Sequence, residues 1–179
     1  MAHISPIISV FVEAYPITNL HIISDGPTSQ YRNKSYFYLL TQYLTQMFPQ
    51  ILTITHNYSE AGHGKGPPDG VGGLLKSICD DEVAQGTDVN NFDAFCTVIE
   101  RRTESVMIKI IDESSICVIE NLIPQKLTPF AGTLQVHQLK WTKEKKDSVF
   151  FNSLSCFACD ASDTCCHYNM DKSPWSIPR

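Results

Sequence analysis

The chain has 179 residues, 42% of them hydrophobic, a formal net charge of −5 and a pI near 5.6. That length and apolar content give one real core with at most a small satellite, and they exclude disordered and fibrous classes. The acidic balance weighs against gripping nucleic acid by charge alone, because neutralising phosphates takes an excess of Lys and Arg.

In chain order, Ser5-Pro6 suits a helix start, so a short helix is expected over residues 4–14, ending near Pro16. Leu20-His21-Ile22-Ile23 reads as a buried strand running into the tight loop Ser24-Asp25-Gly26-Pro27, which places Asp25 at the strand's carboxyl end. From Lys34 to Met47, Phe37, Leu40, Leu44 and Met47 recur at helical spacing with no glycine or proline between them. Ile51 to His56, after a turn at Pro49, is β-branched and reads as a second strand. Strand, helix, strand implies a parallel pair joined by a right-handed crossover, with functional groups gathered at the strands' carboxyl ends. A glycine-rich loop from Glu60 then enters a glycine-rich helix over 70–79. Glycines at Gly70, Gly72 and Gly73 cost up to about 1 kcal/mol each relative to alanine, which suggests that another backbone or a ligand approaches closely. Another helix is expected over 89–101.

After Arg102 the pattern shifts to short β-like segments at 105–111, 115–119, 133–141 and 148–154. This predicts a boundary, with one domain over 1–102 and a small, mainly β module with a Cys-rich tail over 103–179. The apolar runs, such as Val106–Ile111, fall far short of the roughly 20 residues of a membrane span. The N-terminus has no basic leader and carries Glu13 within its first stretch, so the expectation is an intracellular protein, nuclear or cytoplasmic, without membrane association.

Seven cysteines, an odd number without a secretory leader, argue for free thiols rather than a disulfide framework. Cys79, Cys96 and Cys117 sit in apolar surroundings and read as small buried hydrophobes. In the tail, Cys156-Phe157-Ala158-Cys159 is a C-x2-C knuckle, followed after a short gap by Cys165-Cys166-His167. Cys156, Cys159, Cys165 and His167 offer four ligands for a tetrahedral Zn²⁺. The short gap leaves reactive or buried thiols as the alternative reading.

Asp25 and Asp69 are candidate metal-binding carboxylates of the hard-oxygen kind that two-metal phosphoryl chemistry needs. A turn former at Asp25 and a helix cap at Asp69 are the plain alternatives. Two blocks tip the reading. Ser24-Asp25-Gly26-Pro27-Thr28-Ser29-Gln30-Tyr31-Arg32-Asn33-Lys34, followed by Gly62-His63-Gly64-Lys65-Gly66-Pro67-Pro68-Asp69-Gly70-Val71-Gly72-Gly73-Leu74-Leu75-Lys76, resembles a paired signature of transposon-derived animal proteins of the DDE-transposase type. Weaker likeness continues through Gly132 to Gln138 and Leu154-Ser155-Cys156.

The resemblance implies an α/β fold similar to ribonuclease H and retroviral integrase: a parallel strand–helix–strand core, followed here by the small β module. It implies that Asp25 is the second and Asp69 the third catalytic carboxylate, that Mg²⁺ or Mn²⁺ is the cofactor, and that DNA is the partner in metal-dependent strand cleavage and transfer. Gln30, Arg32 and Lys34 would then meet the nucleic-acid backbone, and His63 and Lys65 the scissile phosphate, though all five also suit solvated surface positions. One departure stands out: no strand-borne aspartate precedes Asp25, and Glu13 lies in the expected first helix. The expectation is therefore a truncated domain inactive by itself, with a non-catalytic interaction scaffold as the rival reading and a small zinc-binding regulatory protein as a third. An exposed sheet edge would favour homo-oligomers or cover from the β module.

Overall fold

The computed structural model describes residues 1–27, 29–59, 66–128, 131–160, 165–170 and 175–176. The chain is mixed α/β and divides into two compact units: Met1–Ala61 with Ile111–Arg179, and Gly62–Ile110.

In the first unit, α1 (Ser5–Ala14) has its proline in the first turn, where the missing N–H is not needed. It stops at Tyr15, which is extended (φ −141°, ψ 148°) because the following Pro16 disfavours helical backbone there. The strand β1 (Asn19–Ser24) follows. The expected long helix is present as α2 (Lys34–Tyr38), a π-helical turn over Leu39–Tyr43, and α3 (Leu44–Met47). Asn33 caps it, its side chain accepting from the Tyr36 N–H at 2.9 Å. Within it, the Thr41 hydroxyl donates to the Phe37 carbonyl at 2.7 Å, competing with the backbone ladder where the π turn forms. The strand β2 (Thr53–Tyr58) pairs parallel with β1, Leu20 opposite Ile54 and Ile22 opposite His56.

The strands expected to make a separate module instead extend this sheet. β3 (Gln138–Thr142) pairs antiparallel with β2, and β4 (Ser148–Asn152) antiparallel with β3. The order is β1-β2-β3-β4, and the two-residue β5 (Trp175–Ser176) lies against β4. Of the other β-like segments, 105–111 has no regular structure, and 115–119 lies inside a helix, α6 (Glu113–Glu120). The β-branched run there is overridden by Asp112, which accepts from the Ser115 N–H at 2.7 Å and starts the helix. No strand pairs with the outer edge of β1 among the described residues.

Side-chain alternation gives the sheet two different faces. One carries Ile54, His56 and Tyr58 of β2, Leu139 and Trp141 of β3, and Val149 and Phe151 of β4. It packs under Phe37, Leu40 and Leu44 to form the core. The opposite face carries Asn57, Gln138, Lys140 and Asn152, all buried although polar. Burying that much polarity demands a hydrogen-bonded cover, and the cover is the Cys-rich segment.

The second unit is a helix pair, α4 (Pro67–Ala84) and α5 (Phe92–Arg102), closed over Ile78, Val98 and Ile99. The prolines of α4 sit in its first turn. Buried Glu82 is paired with Arg101 and Arg102, the latter at 3.1 Å. Among the described residues no backbone approaches the α4 glycines: a Cβ added at Gly70, Gly72 or Gly73 would meet nothing within 4 Å. No described helix is long and apolar enough to cross a membrane.

Candidate metal centre

The segment after β4 leaves the sheet and comes back to it. Asn152 bridges Asn169 in antiparallel fashion, the Ser153 N–H donates to the Tyr168 carbonyl at 2.9 Å, and the Met170 N–H to the Phe151 carbonyl at 3.2 Å. This closure sets an outgoing arm with Cys156 and Cys159 beside a returning arm with Cys165, Cys166 and His167.

Strand β3 and His137 just before it hold the outgoing arm. The Ser155 hydroxyl donates to the His137 carbonyl (3.1 Å), and the Lys140 ammonium donates to the Asp160 carbonyl (2.6 Å). Gln138 grips Cys156 from both sides: its amide nitrogen donates to the Cys156 carbonyl at 3.1 Å and its oxygen accepts the Cys156 N–H at 3.2 Å. The same amide donates to Asn57 Oδ1 (2.8 Å) and accepts from Asn152 Nδ2 (2.6 Å). Gln138 thus makes four hydrogen bonds in the dry, fully satisfied state that a buried amide requires.

On this footing the ligand atoms of Cys156, Cys159, Cys165 and His167 all lie within 4.8 Å of one another. A tetrahedral Zn²⁺, with Zn–S of about 2.3 Å and Zn–N of about 2.0–2.1 Å, sets its donor atoms roughly 3.5–3.8 Å apart. His167 Nδ1 stands 3.6 Å from Cys156 Sγ and 3.3 Å from Cys159 Sγ, close to that edge length. Nδ1 is the nitrogen turned to Cys156 and Cys159, while Nε2 lies 3.9 Å from Cys166 Sγ. Backbone N–H groups of Cys159 and Ala158 point at Cys156 Sγ and, with His167, hold its thiol down to about 6 against the opposing effect of burial. At Cys159 the Cys166 N–H pulls downward, but burial and the neighbouring Cys166 and Cys156 thiols win and raise it. The Tyr168 N–H donates to Cys165 Sγ at 3.3 Å. Amide donors aimed at sulfur favour the thiolate, which is the form that binds metal. The Cys3His set can therefore hold a metal ion such as zinc, and it is the only grouping of three or more metal-ligating side chains among the described residues.

The candidate carboxylates stand elsewhere. Asp25 is exposed just past β1 in the first unit, and no described residue pairs with its carboxylate. Asp69 is exposed in the first turn of α4 in the second unit, its carboxylate accepting weakly from the Gly66 N–H at 3.4 Å. Neither belongs to the Cys3His ligand group found among the described residues. His63 and Lys65 lie outside the described residues.

The loop around Asp25 has its own structural logic. Any Cβ at Gly26 would run into the Arg32 guanidinium, which lies over the Tyr58 ring (5.0 Å) and donates to the Leu134 carbonyl at 3.1 Å. Lys34 donates to the Leu127 carbonyl at 3.0 Å. Both cations are thus engaged with the protein, while Gln30 is exposed. Behind the loop, buried His56 is bracketed by the Ser24 hydroxyl (2.8 Å, Nε2) and the Tyr36 hydroxyl (2.9 Å, Nδ1). Burial, then Arg32, depress its pKa to about 3. Burial likewise raises the Tyr36 and Tyr58 phenols.

The profile of a family described as a domain of unknown function, DUF8701, matches residues 3–154. The chain belongs to that family. The match in this DUF8701 chain takes in Asp25, Asp69 and the Gln138 clamp and stops just before Cys156. No curated protein and no solved structure matches the chain.

Of the cysteines expected to be buried, Cys96 is, Cys79 is half-buried and Cys117 is exposed on α6. The Gln138 clamp was missed from sequence. Its only signal is the alternation of Gln138 and Lys140 with Leu139 and Trp141, which marks a polar face without saying what covers it.

Proposed function

We propose that this DUF8701 chain is a transposase-derived, ribonuclease-H-like domain that serves as a zinc-bearing scaffold and does not itself cut DNA. The observation that carries the reading is the donor chemistry: among the described residues the metal-competent cluster is thiolate and imidazole, and the carboxylates that cleavage would need stand outside it. Thiolate-rich sets select Zn²⁺ over hard cations, and with four protein ligands and no open position such a site is structural rather than catalytic.

Descent from a DDE transposase is supported by the placement of the two acidic blocks. Asp25 follows the first strand of a parallel pair, and Asp69 opens the helix after the second. The ancestral reaction would be metal-dependent DNA strand cleavage and transfer, with Mg²⁺ or Mn²⁺ at the carboxylates. DNA remains the proposed partner class, reached as part of a larger assembly because a net charge of −5 opposes direct capture.

The test uses the purified chain, Asp25→Ala and Asp69→Ala on single-stranded and duplex DNA at low salt with Mg²⁺ or Mn²⁺, alongside zinc analysis. One bound zinc with no cleavage by any of the three proteins is the expected result. Cleavage by the wild type that both substitutions abolish would overturn the scaffold reading and restore the carboxylates as a working site.

A further inference from the structure

The metal cluster has one donor too many. Cys166 is exposed, and its Sγ lies 3.7 Å from Cys159 Sγ and 3.6 Å from His167 Nδ1. Four donors complete a tetrahedral zinc, so when the Cys3His set is filled Cys166 is left as a solvent-facing thiol held against a ligand sulfur. Cys156 and Cys165 are buried and Cys159 is half-buried, which makes Cys166 the thiol of the cluster that a small oxidant meets first.

We propose that Cys166 and Cys159 form an oxidation site whose closure expels the metal, an inference that rests on the zinc reading above. Redox-sensing thiols share this arrangement of an accessible sulfur with a resolving sulfur beside it. The reagent class is a peroxide. The Cys166 thiolate attacks the O–O bond and becomes a sulfenic acid, while the departing hydroxide takes a proton to give water. The Cys159 sulfur then attacks the sulfenic sulfur, and the S–O bond breaks with loss of a second hydroxide, also protonated to water. Two thiolates lose two electrons in total, and one peroxide is reduced to two waters. Closing the bond brings the sulfurs from 3.7 Å to the disulfide length of about 2.05 Å, a shift within reach of side-chain rotation. Cys159 can no longer serve as a thiolate ligand, and the ion keeps only Cys156, Cys165 and His167.

The experiment treats the zinc-loaded full chain with hydrogen peroxide and follows released zinc with a chelating dye. Cleavage at Asp160 and Asp163 separates the peptide bearing Cys159 from the one bearing Cys166, so the cross-link appears as joined peptides that part on reduction, and fragment ions assign the sulfurs. Zinc release should track the Cys159–Cys166 cross-link, and reduction should restore zinc uptake. Cys166→Ser, which keeps all four ligands, should release zinc about tenfold more slowly. Release from Cys166→Ser at the wild-type rate, or a cross-link joining other cysteines, would overturn the proposal. A purified chain that takes up no zinc would defeat the zinc reading alone, and the peptide map would still decide whether these two sulfurs pair.

Discussion

Gln138→Leu removes the buried amide that fastens the metal segment to the sheet while keeping a side chain of similar volume. Four partners lose their hydrogen bond: Asn57 Oδ1, Asn152 Nδ2, and both the N–H and C=O of Cys156. A buried polar group left unpaired costs roughly 1–3 kcal/mol. The four bonds meet at one side chain and their losses are not additive, so the expected net loss is about 3–5 kcal/mol rather than the full sum, a large share of the roughly 5–15 kcal/mol that holds a domain together. Because the clamp fixes the backbone of a ligand, zinc affinity should also fall by about 10- to 100-fold. Urea unfolding of the zinc-loaded chain and competition against a chelator of known affinity read the two effects. Gln42→Leu is the control, since its contact with the Lys146 carbonyl is long (3.4 Å) and exposed. A Gln138→Leu protein within about 1 kcal/mol of wild type and with unchanged zinc affinity would refute the clamp.

Gly26→Ala should displace the Arg32 guanidinium from Tyr58 and Leu134 and cost about 1–2 kcal/mol, and Arg32→Ala should cost a similar amount. Because both remove the same Arg32 contacts, the double variant should be no worse than the worse single variant, as equilibrium unfolding of all three will show. His56 has a folded pKa near 3, below its unfolded value, so the unfolded chain binds a proton that the folded chain refuses. Its effect on stability is therefore absent above about pH 6.5 and grows as pH falls toward 3, with a slope of about 1 kcal/mol per pH unit. His56→Gln should lack this increment when the two proteins are compared between pH 4 and 6 by urea unfolding; parallel pH profiles would contradict the assignment. Adding Mg²⁺ or Mn²⁺ should leave DNA uncut by the wild-type chain, as a gel assay at low salt will show.

The local part of this fold was legible and the long-range part was not. Ser5-Pro6 carries its own helix-start signal, and the run Leu20–Ile23, the apolar stripe from Phe37 to Leu44 and the β-branched run ending at His56 together imply the parallel pair with its crossover helix. The helix over Glu113–Glu120 was misread because Ile116, Val118 and Ile119 look strand-like, whereas the deciding residue is the cap Asp112 in front of them. Strands β3 and β4 are legible as strands, but the pairing of β3 with β2, such as Asn57 opposite Gln138, joins segments far apart in the chain and leaves no local trace. At the metal site the spacing of Cys156, Cys159, Cys165 and His167 was enough to nominate ligands. The antiparallel return that closes the short gap, and the buried amide beneath it, depend on contacts that sequence spacing does not encode.

The central claim is that the tail of this chain holds a structural zinc through three sulfurs and one imidazole. X-ray absorption at the zinc edge on the protein as purified tests it most directly. One zinc per chain is expected, with three sulfurs at about 2.3 Å and one nitrogen at about 2.0–2.1 Å. A zinc-free protein that stays zinc-free after reduction and metal addition, or a first shell of oxygen donors, would contradict it.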